Sequence, residues 1–398
     1  MRLFLTLACV LLGLRAAWAE PVPDYWRKIV EEARGQTVYF NAWGGSASIN
    51  DYIAWAAAAV KERFGVDLVH VKLTDTADAV SRVLVEKEAG REEGGSVDLI
   101  WINGENFRTM KDEGLLFGPF VALLPSFALV DTEANPTTLV DFGVPTDGLE
   151  SPWGLAQFVL IHDAETSPEP PRSLDALLSY AEAHPGRVTY PRPPDFVGTT
   201  FLKHVLLDEA PEGTDFSRPP PEDADAVLAP AFAWLDRLHA VAWRAGEAFP
   251  QSQPALHQLF EDGEVDLTMA FNPLEAANLV LEQRFPETTR SYGFTDGSIA
   301  NTHFLAIPFN ASARAGAMVT AEFLLSPRAQ AVKQDPARWG DATVLAIDQL
   351  DAEQRAAFTA IDLPPAAAGP DDLGPGLPEP HAAWVDLLER AWTERYGG

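Results

Sequence analysis

Between residues 37 and 102 the side-chain pattern changes period repeatedly, and that alternation limits the folds open to the chain. Thr37-Val38-Tyr39-Phe40-Asn41-Ala42-Trp43 is rich in β-branched and aromatic residues and reads as a strand closed by Gly44-Gly45. A helix is expected over 49–64, entered through Ser46-Ala47-Ser48 and stopped by Gly65. Residues 67–73 form a second expected strand. Thr74 or Asp75 caps a second helix ending near Gly90, and 97–102 make a third strand. Strands separated by helices in this way build βαβ units around a parallel sheet. Ligands of such sheets sit in the crevice at the carboxyl ends of the strands. Here those ends carry Asn41, Trp43, Gly45 and Ser46, then Trp101, Asn103, Glu105 and Asn106.

Beyond this unit the pattern loosens. Residues 118–152 read as a long Gly- and Pro-bearing excursion, and the apolar run 151–161 as a strand crossing between two lobes. Helices are expected at 173–184, 198–208, 224–246 and 253–262. A strand at 265–270 precedes Phe271-Asn272-Pro273 and a helix to about residue 284. A second crossover is expected at 302–308, then helices at 312–325, 326–334 and 381–395, the last after a Pro/Gly/Asp-rich stretch at 363–380. At 398 residues the chain exceeds the roughly 250–300 that one core supports, so two lobes are expected.

The first residues have a separate purpose. Arg2, an apolar run from Leu3 to Leu12 and Ala17-Trp18-Ala19 describe a secretory signal peptide over 1–19, cleaved after Ala19. Cys9, the one cysteine, lies inside the apolar run, where a lipid-modified residue would not sit. The mature chain therefore has neither disulfides nor thiolate metal sites. It is expected to be periplasmic, without insertion into the membrane. Loss of Arg2 and Arg15 takes the net charge from −29 to −31, because all 58 acids remain. Nucleic acid is excluded as a partner, since its binding rests on Lys and Arg neutralising phosphates.

No catalytic signature is present. Gly44-Gly45-Ser46-Ala47-Ser48 fails the nucleophile-elbow pattern at its last position, and neither a phosphate-binding P-loop nor an H-E-x-x-H pair occurs. The eight histidines are dispersed, so no metal site and no cofactor are expected. Aromatic and amide residues at strand ends remain. Trp43, Trp101 and Trp153 each follow or sit within an apolar run, where their rings can either pack the core or stack on a ligand. Ser46 and Ser48 can cap a helix or, with Gly44-Gly45, receive an anionic group.

Several segments resemble the family-1 extracellular solute-binding proteins of ABC importers, in their YnjB-like branch. They are Asp98-Leu99-Ile100-Trp101-Ile102-Asn103-Gly104-Glu105-Asn106-Phe107, Gly263-Glu264-Val265-Asp266-Leu267, and Asn301-Thr302-His303-Phe304-Leu305-Ala306-Ile307-Pro308 followed by Glu322-Phe323-Leu324-Leu325-Ser326-Pro327. Their order and spacing carry the resemblance. It implies an α/β, two-lobed periplasmic-binding-protein fold of type II, a Venus flytrap with two hinge crossover strands. The first lobe would comprise 20–155 and 302–345, the second 156–301, with 346–398 a helical segment packing on both.

The resemblance places the solute between the lobes, against Asn41, Trp43, Gly45, Ser46, Trp101, Asn103 and Glu105 of the first lobe. Thr199, Asn272 and Glu275 would face them, with Trp153, Asn301 and His303 by the hinges. Trp43 and Trp101 would stack, Gly45, Ser46 and Asn103 would hydrogen-bond, and Glu105 would pair a cationic group. The implied partners are a small polar organic solute, cationic (thiamine or a polyamine) or zwitterionic, and the membrane subunits of an ABC permease. A monomer is expected. Two alternatives stay open: an exported hydrolase or lyase using Glu105 or Glu275, and a ligand sensor docking on a membrane receptor.

Overall fold

Strand β1 (Thr37–Trp43) buries Val38, Phe40 and Ala42 while Thr37 and Tyr39 face solvent, the alternation of a strand covered on its inner face. The computed structural model describes residues 23–361 and 363–397. The expected signal peptide and its cleavage position lie outside the described residues. β1 pairs in parallel with β2 (Asp67–Leu73) and β3 (Leu99–Ile102), as the alternation predicts. The intervening helices are Ala47–Phe64 and Ala77–Glu88. The first is capped by Ser46, whose Oγ accepts from Ile49 N, and ends at Gly65 in the left-handed region. On one face of the sheet Tyr52, Ile53 and Val60 pack with Val319 and Phe323 of helix Arg314–Leu325. On the other, Val80 and Val83 pack with Phe107 and Met110 of helix Gly104–Asp112. Each such fully buried side chain contributes about 1.5–3 kcal/mol.

A short ribbon, β4 (Val140–Asp141) with β5 (Val144–Pro145), interrupts the excursion after this unit. The expected crossover at 151–161 is a single run that changes sheet. β6 (Glu150–Gln157) belongs to the first lobe and β7 (Val159–Asp163) to the second, with Phe158 N–H donating to Ile299 O between them. β7 lies between β8 (Leu267–Ala270) and β9 (Thr289–Tyr292) in an antiparallel sheet. β10 (Ser298–Ala306) returns the chain, antiparallel to both β6 and β3. β11 (Gly376–Leu377) then adds to β10 in parallel.

The second core joins Phe158, Phe201, Trp234, Met269 and Tyr292 with Trp384, Leu388 and Trp392 of the last helix, Ala383–Tyr396. The C-terminal segment is thus shared. Phe358 of helix Ala352–Thr359 belongs to the first core, Ala366 and the last helix to the second. The chain crosses between lobes a third time, without a strand, through its Pro-rich stretch. Four α-helices among the described residues escaped the sequence reading: Asp24–Ala33, Gly104–Asp112, Ala352–Thr359 and the short Pro370–Leu373. The helix expected over 224–246 stops at His239; Ala242 is extended, and Arg244 and Ala245 take positive φ values of 50° and 55° in the turn beyond it, so the helix cannot run on to 246. No described helix is long and apolar enough to cross a membrane.

Candidate functional site

The residues singled out from sequence divide among three groups. The first is a crevice between the lobes. Trp43, Gly45 and Ser46 from the end of β1 face Gln253, His257 and Glu275. Ser46 Oγ lies 2.8 Å from Ser48 Oγ, and Asn50 Nδ2 donates to Gly44 O at 3.1 Å. The Trp43 ring lies against Gly45 so closely that a Cβ there would strike it unless the indole moved. On the facing lobe, His257 bonds Thr268 Oγ1 through Nδ1 at 2.8 Å, while its Nε2 lies 3.5 Å from Glu275 Oε1. The crevice holds about 20 Å³, room for about one water.

The second group is aromatic and lies by the hinge. Trp101, partly exposed, meets the Trp153 ring edge-on at 5.2 Å, the His303 ring at 5.0 Å and the Trp339 ring at 5.5 Å. Trp153 is fully buried and fills the β6–β10 junction, where the register shifts between His303 and Phe304. Its indole N–H has no acceptor. Beside it Asp341 accepts from His303 Nε2 at 3.0 Å and from the Lys333 ammonium, all three within a buried pocket of the first lobe. Burial pushes the Asp341 carboxyl up, but the Lys333 and His303 charges outweigh it and hold the group below its ordinary value. Asn272 reaches from the second lobe to Trp339 O at 3.4 Å, and Asn278 Nδ2 donates to the same carbonyl.

The third group surrounds Lys203 of helix Phe196–Glu209. Its ammonium pairs with Glu379 Oε2 at 2.5 Å, and Asn301 Nδ2 donates to Glu379 Oε1 at 2.9 Å. Thr199 Oγ1 donates to Glu389 Oε1 at 2.6 Å. Glu105, in the first turn of helix Gly104–Asp112, accepts from Asn106 Nδ2. Asp141 accepts from Gly104 N at 2.7 Å. Asn103 precedes that helix without a capping bond from its side chain, and Asn41 is buried within β1, donating to Tyr39 O at 3.2 Å.

The structure therefore brings Trp43, Gly45, Ser46 and Glu275 together, and separately Trp101, Trp153 and His303. Thr199, Asn301 and Glu105 belong with the Lys203 group. Sequence reasoning missed His257, Asn278, Trp339, Asp341, Lys333, Lys203, Asp141, Glu379 and Glu389. One of these had a readable signal: Trp339-Gly340 repeats the Trp-Gly pairs at 43–44 and 153–154.

Comparison with known proteins agrees with this architecture. Residues 55–334 match the family described as bacterial extracellular solute-binding protein. The chain belongs to that family. This solute-binding protein is 45% identical over 381 residues to Protein YnjB of Escherichia coli (strain K12), covering 94% of each chain. In three dimensions it is similar to AfuA of Actinobacillus pleuropneumoniae, a periplasmic binding protein, with a TM-score of 0.64 at 13% identity, covering 91% of this chain and 99% of that one. It is also similar to PotD of Streptococcus pneumoniae, the substrate-binding protein of a spermidine/putrescine ABC transporter. The TM-score there is 0.60 at 15% identity, with 90% and 98% covered. At such identities the likeness establishes the fold: two α/β lobes of the type II periplasmic-binding-protein kind.

Proposed function

We propose that this solute-binding protein captures a small polar organic solute between its lobes and hands it to the membrane subunits of an ABC permease. The observation that carries the reading is the interlobe crevice, in which Trp43, Gly45 and Ser46 at the end of a first-lobe strand face His257 and Glu275 of the second lobe. A solute touching both sides favours the closed form by its differential affinity for that form. Trp43 and Trp101 supply stacking faces, and Gly45, Ser46, Asn272 and Glu275 supply polar contacts. The chain acts in this reading as a periplasmic monomer, released from its signal segment after Ala19.

Native mass spectrometry of the protein purified without unfolding tests the reading. One small organic molecule is expected to be retained per chain, released unchanged, with an N-terminus at Glu20. After unfolding and refolding to strip it, adding the molecule back is expected to compact the protein in solution scattering and raise its melting temperature. Turnover of the retained molecule would favour an enzyme instead, and absence of any solute-dependent compaction would sink the capture reading.

A further inference from the structure

Asparagine is a poor residue for the interior of a helix, yet Asn278 sits in the middle of helix Glu275–Leu281. Its side chain is buried, 4% exposed, and among the described residues it makes no bond within its own lobe. Its Nδ2 donates instead to Trp339 O of the first lobe, and its Oδ1 has no partner. Trp339 is a member of the first core, whereas Ala276, Ala277 and Leu279 around Asn278 belong to the second. Asn272 Nδ2 approaches the same carbonyl at 3.4 Å. A carbonyl oxygen has two lone pairs and can accept from both amides.

The acceptor is fixed to its own lobe. Trp339 N donates to Asp335 O at 3.0 Å, and Gly340 N and Asp341 N donate to Lys333 O at 2.9 and 3.1 Å. The Asp341 carboxylate is tied in turn to Lys333 and His303. The Trp339 carbonyl therefore stays with the first lobe when the second swings away. Glycine at 340 brings the two lobes into contact there. Its φ is 81°, and a Cβ on it would stand 2.7 Å from Leu274 Cβ. The contact borders the crevice, which Asn278 and Glu275 line together with Trp43, Gly45 and Ser46.

We propose that Asn278, assisted by Asn272, is an interlobe latch: its bond to the Trp339 carbonyl holds the lobes together beside the crevice and breaks when they part. The inference deepens the capture reading and rests on it for the latch's purpose. The orphaned Oδ1 keeps the latch weak. With the lobes together it is a buried acceptor without a donor, a cost set against the bond that Nδ2 makes; with the lobes apart both ends of the amide reach water. The two terms oppose each other, which leaves the chain able to open. An N–H or O–H of a solute, or a water, that reached Oδ1 would remove the cost and favour closure. Asn272 keeps a second N–H that the carbonyl does not use, so its contact with solute in the capture reading stands beside its part in the latch. A chain closed for only a fraction of the time binds solute with its affinity reduced by that fraction. The latch thus sets a factor common to every solute the cleft takes.

Small-angle scattering and amide hydrogen exchange of the stripped full chain test this without any solute. Asn278→Leu keeps the side-chain volume, favours the helix and removes the orphaned acceptor, so the second lobe is expected to melt no lower than in the wild type. The latch is nevertheless lost. The ratio of closed to open chains is expected to fall about three- to tenfold, the scale of one hydrogen bond. That fall is read as a larger radius of gyration and as faster exchange in 272–281 and 335–341, with helix Phe196–Glu209 unchanged. Asn278→Ala, which adds no bulk, is expected to open the chain in the same way and serves if the leucine variant does not fold. A radius and an exchange pattern equal to those of the wild type overturn the proposal. So does a lower melting temperature without opening, which would assign Asn278 to the stability of its own lobe. Native mass spectrometry separates the two readings. Weaker retention of the co-purified molecule by a variant whose stripped shape is unchanged would make Asn278 a direct solute contact, overturning the latch and leaving capture intact. Retention of no molecule by a wild type whose variants do open would count against capture and support the latch.

Discussion

Lys333 shows how a single side chain can be costly to lose. It is 0% exposed, and Asp341 beside it is 1% exposed, so the pair and His303 share one enclosed electrostatic site. Removing one member leaves an uncompensated buried charge, whereas removing both can be nearly neutral. Lys333→Met is therefore expected to cost about 3–5 kcal/mol in urea denaturation. The double variant Lys333→Met with Asp341→Asn is expected to recover most of that loss. Equal losses in the two variants would show that Lys333 matters for its packing against Trp153 and Trp339 rather than for its charge. The triad was not readable in sequence: Lys333 and Asp341 lie eight positions apart with no regular element joining them, and His303 reaches Asp341 from thirty-eight positions earlier.

At the scale of elements, legibility followed local chemistry. β1 to β3 and the helices between them were readable because their caps, glycines and apolar periods agree. Ser46, Gly65 and the alternating Val38, Phe40 and Ala42 all point to one arrangement. Helix Gly104–Asp112 was missed because it starts at a glycine with φ of 63° and without a side-chain cap; Asp141, remote in sequence, satisfies Gly104 N instead. The candidate site split in the same way. Strand-end residues such as Trp43 and Ser46 could be chosen from position alone, whereas Lys203 and Glu379 look in sequence like ordinary members of a helix and a loop. The β6–β10 hinge pair carries its own requirement. A Cβ on Gly154 would collide with Asp341 Oδ2 and Lys333 Nζ, neither of which has room to retreat. Gly154→Ala is expected to cost about 1–3 kcal/mol, read as a lower urea midpoint with an unchanged slope. An unaltered midpoint would mean that the hinge junction yields more easily than its packing implies.

Over the whole molecule, 58 acids against 29 bases make self-repulsion a standing opponent of the compact state. Raising ionic strength from low to physiological values screens that field, so the melting temperature is expected to rise with added salt. A fall would show that ion pairs such as Arg395–Asp236 and Lys61–Asp67 outweigh the repulsion. Two lobes follow from length, and the strands that join them were visible as long apolar runs. The third crossing was not, because its chain is irregular and Pro-rich, and only tertiary contacts send Phe358 to one core and Trp384 to the other. The tryptophans at the hinge have an optical consequence. The rings of Trp101, Trp153 and Trp339 stand within 5.5 Å of one another, close enough to share an absorbed photon. Trp101 alone of the three reaches solvent appreciably, so a molecule stacking on it would change the emission of the whole set. The unlabelled protein would then signal, in its own ultraviolet fluorescence, whether its lobes are occupied.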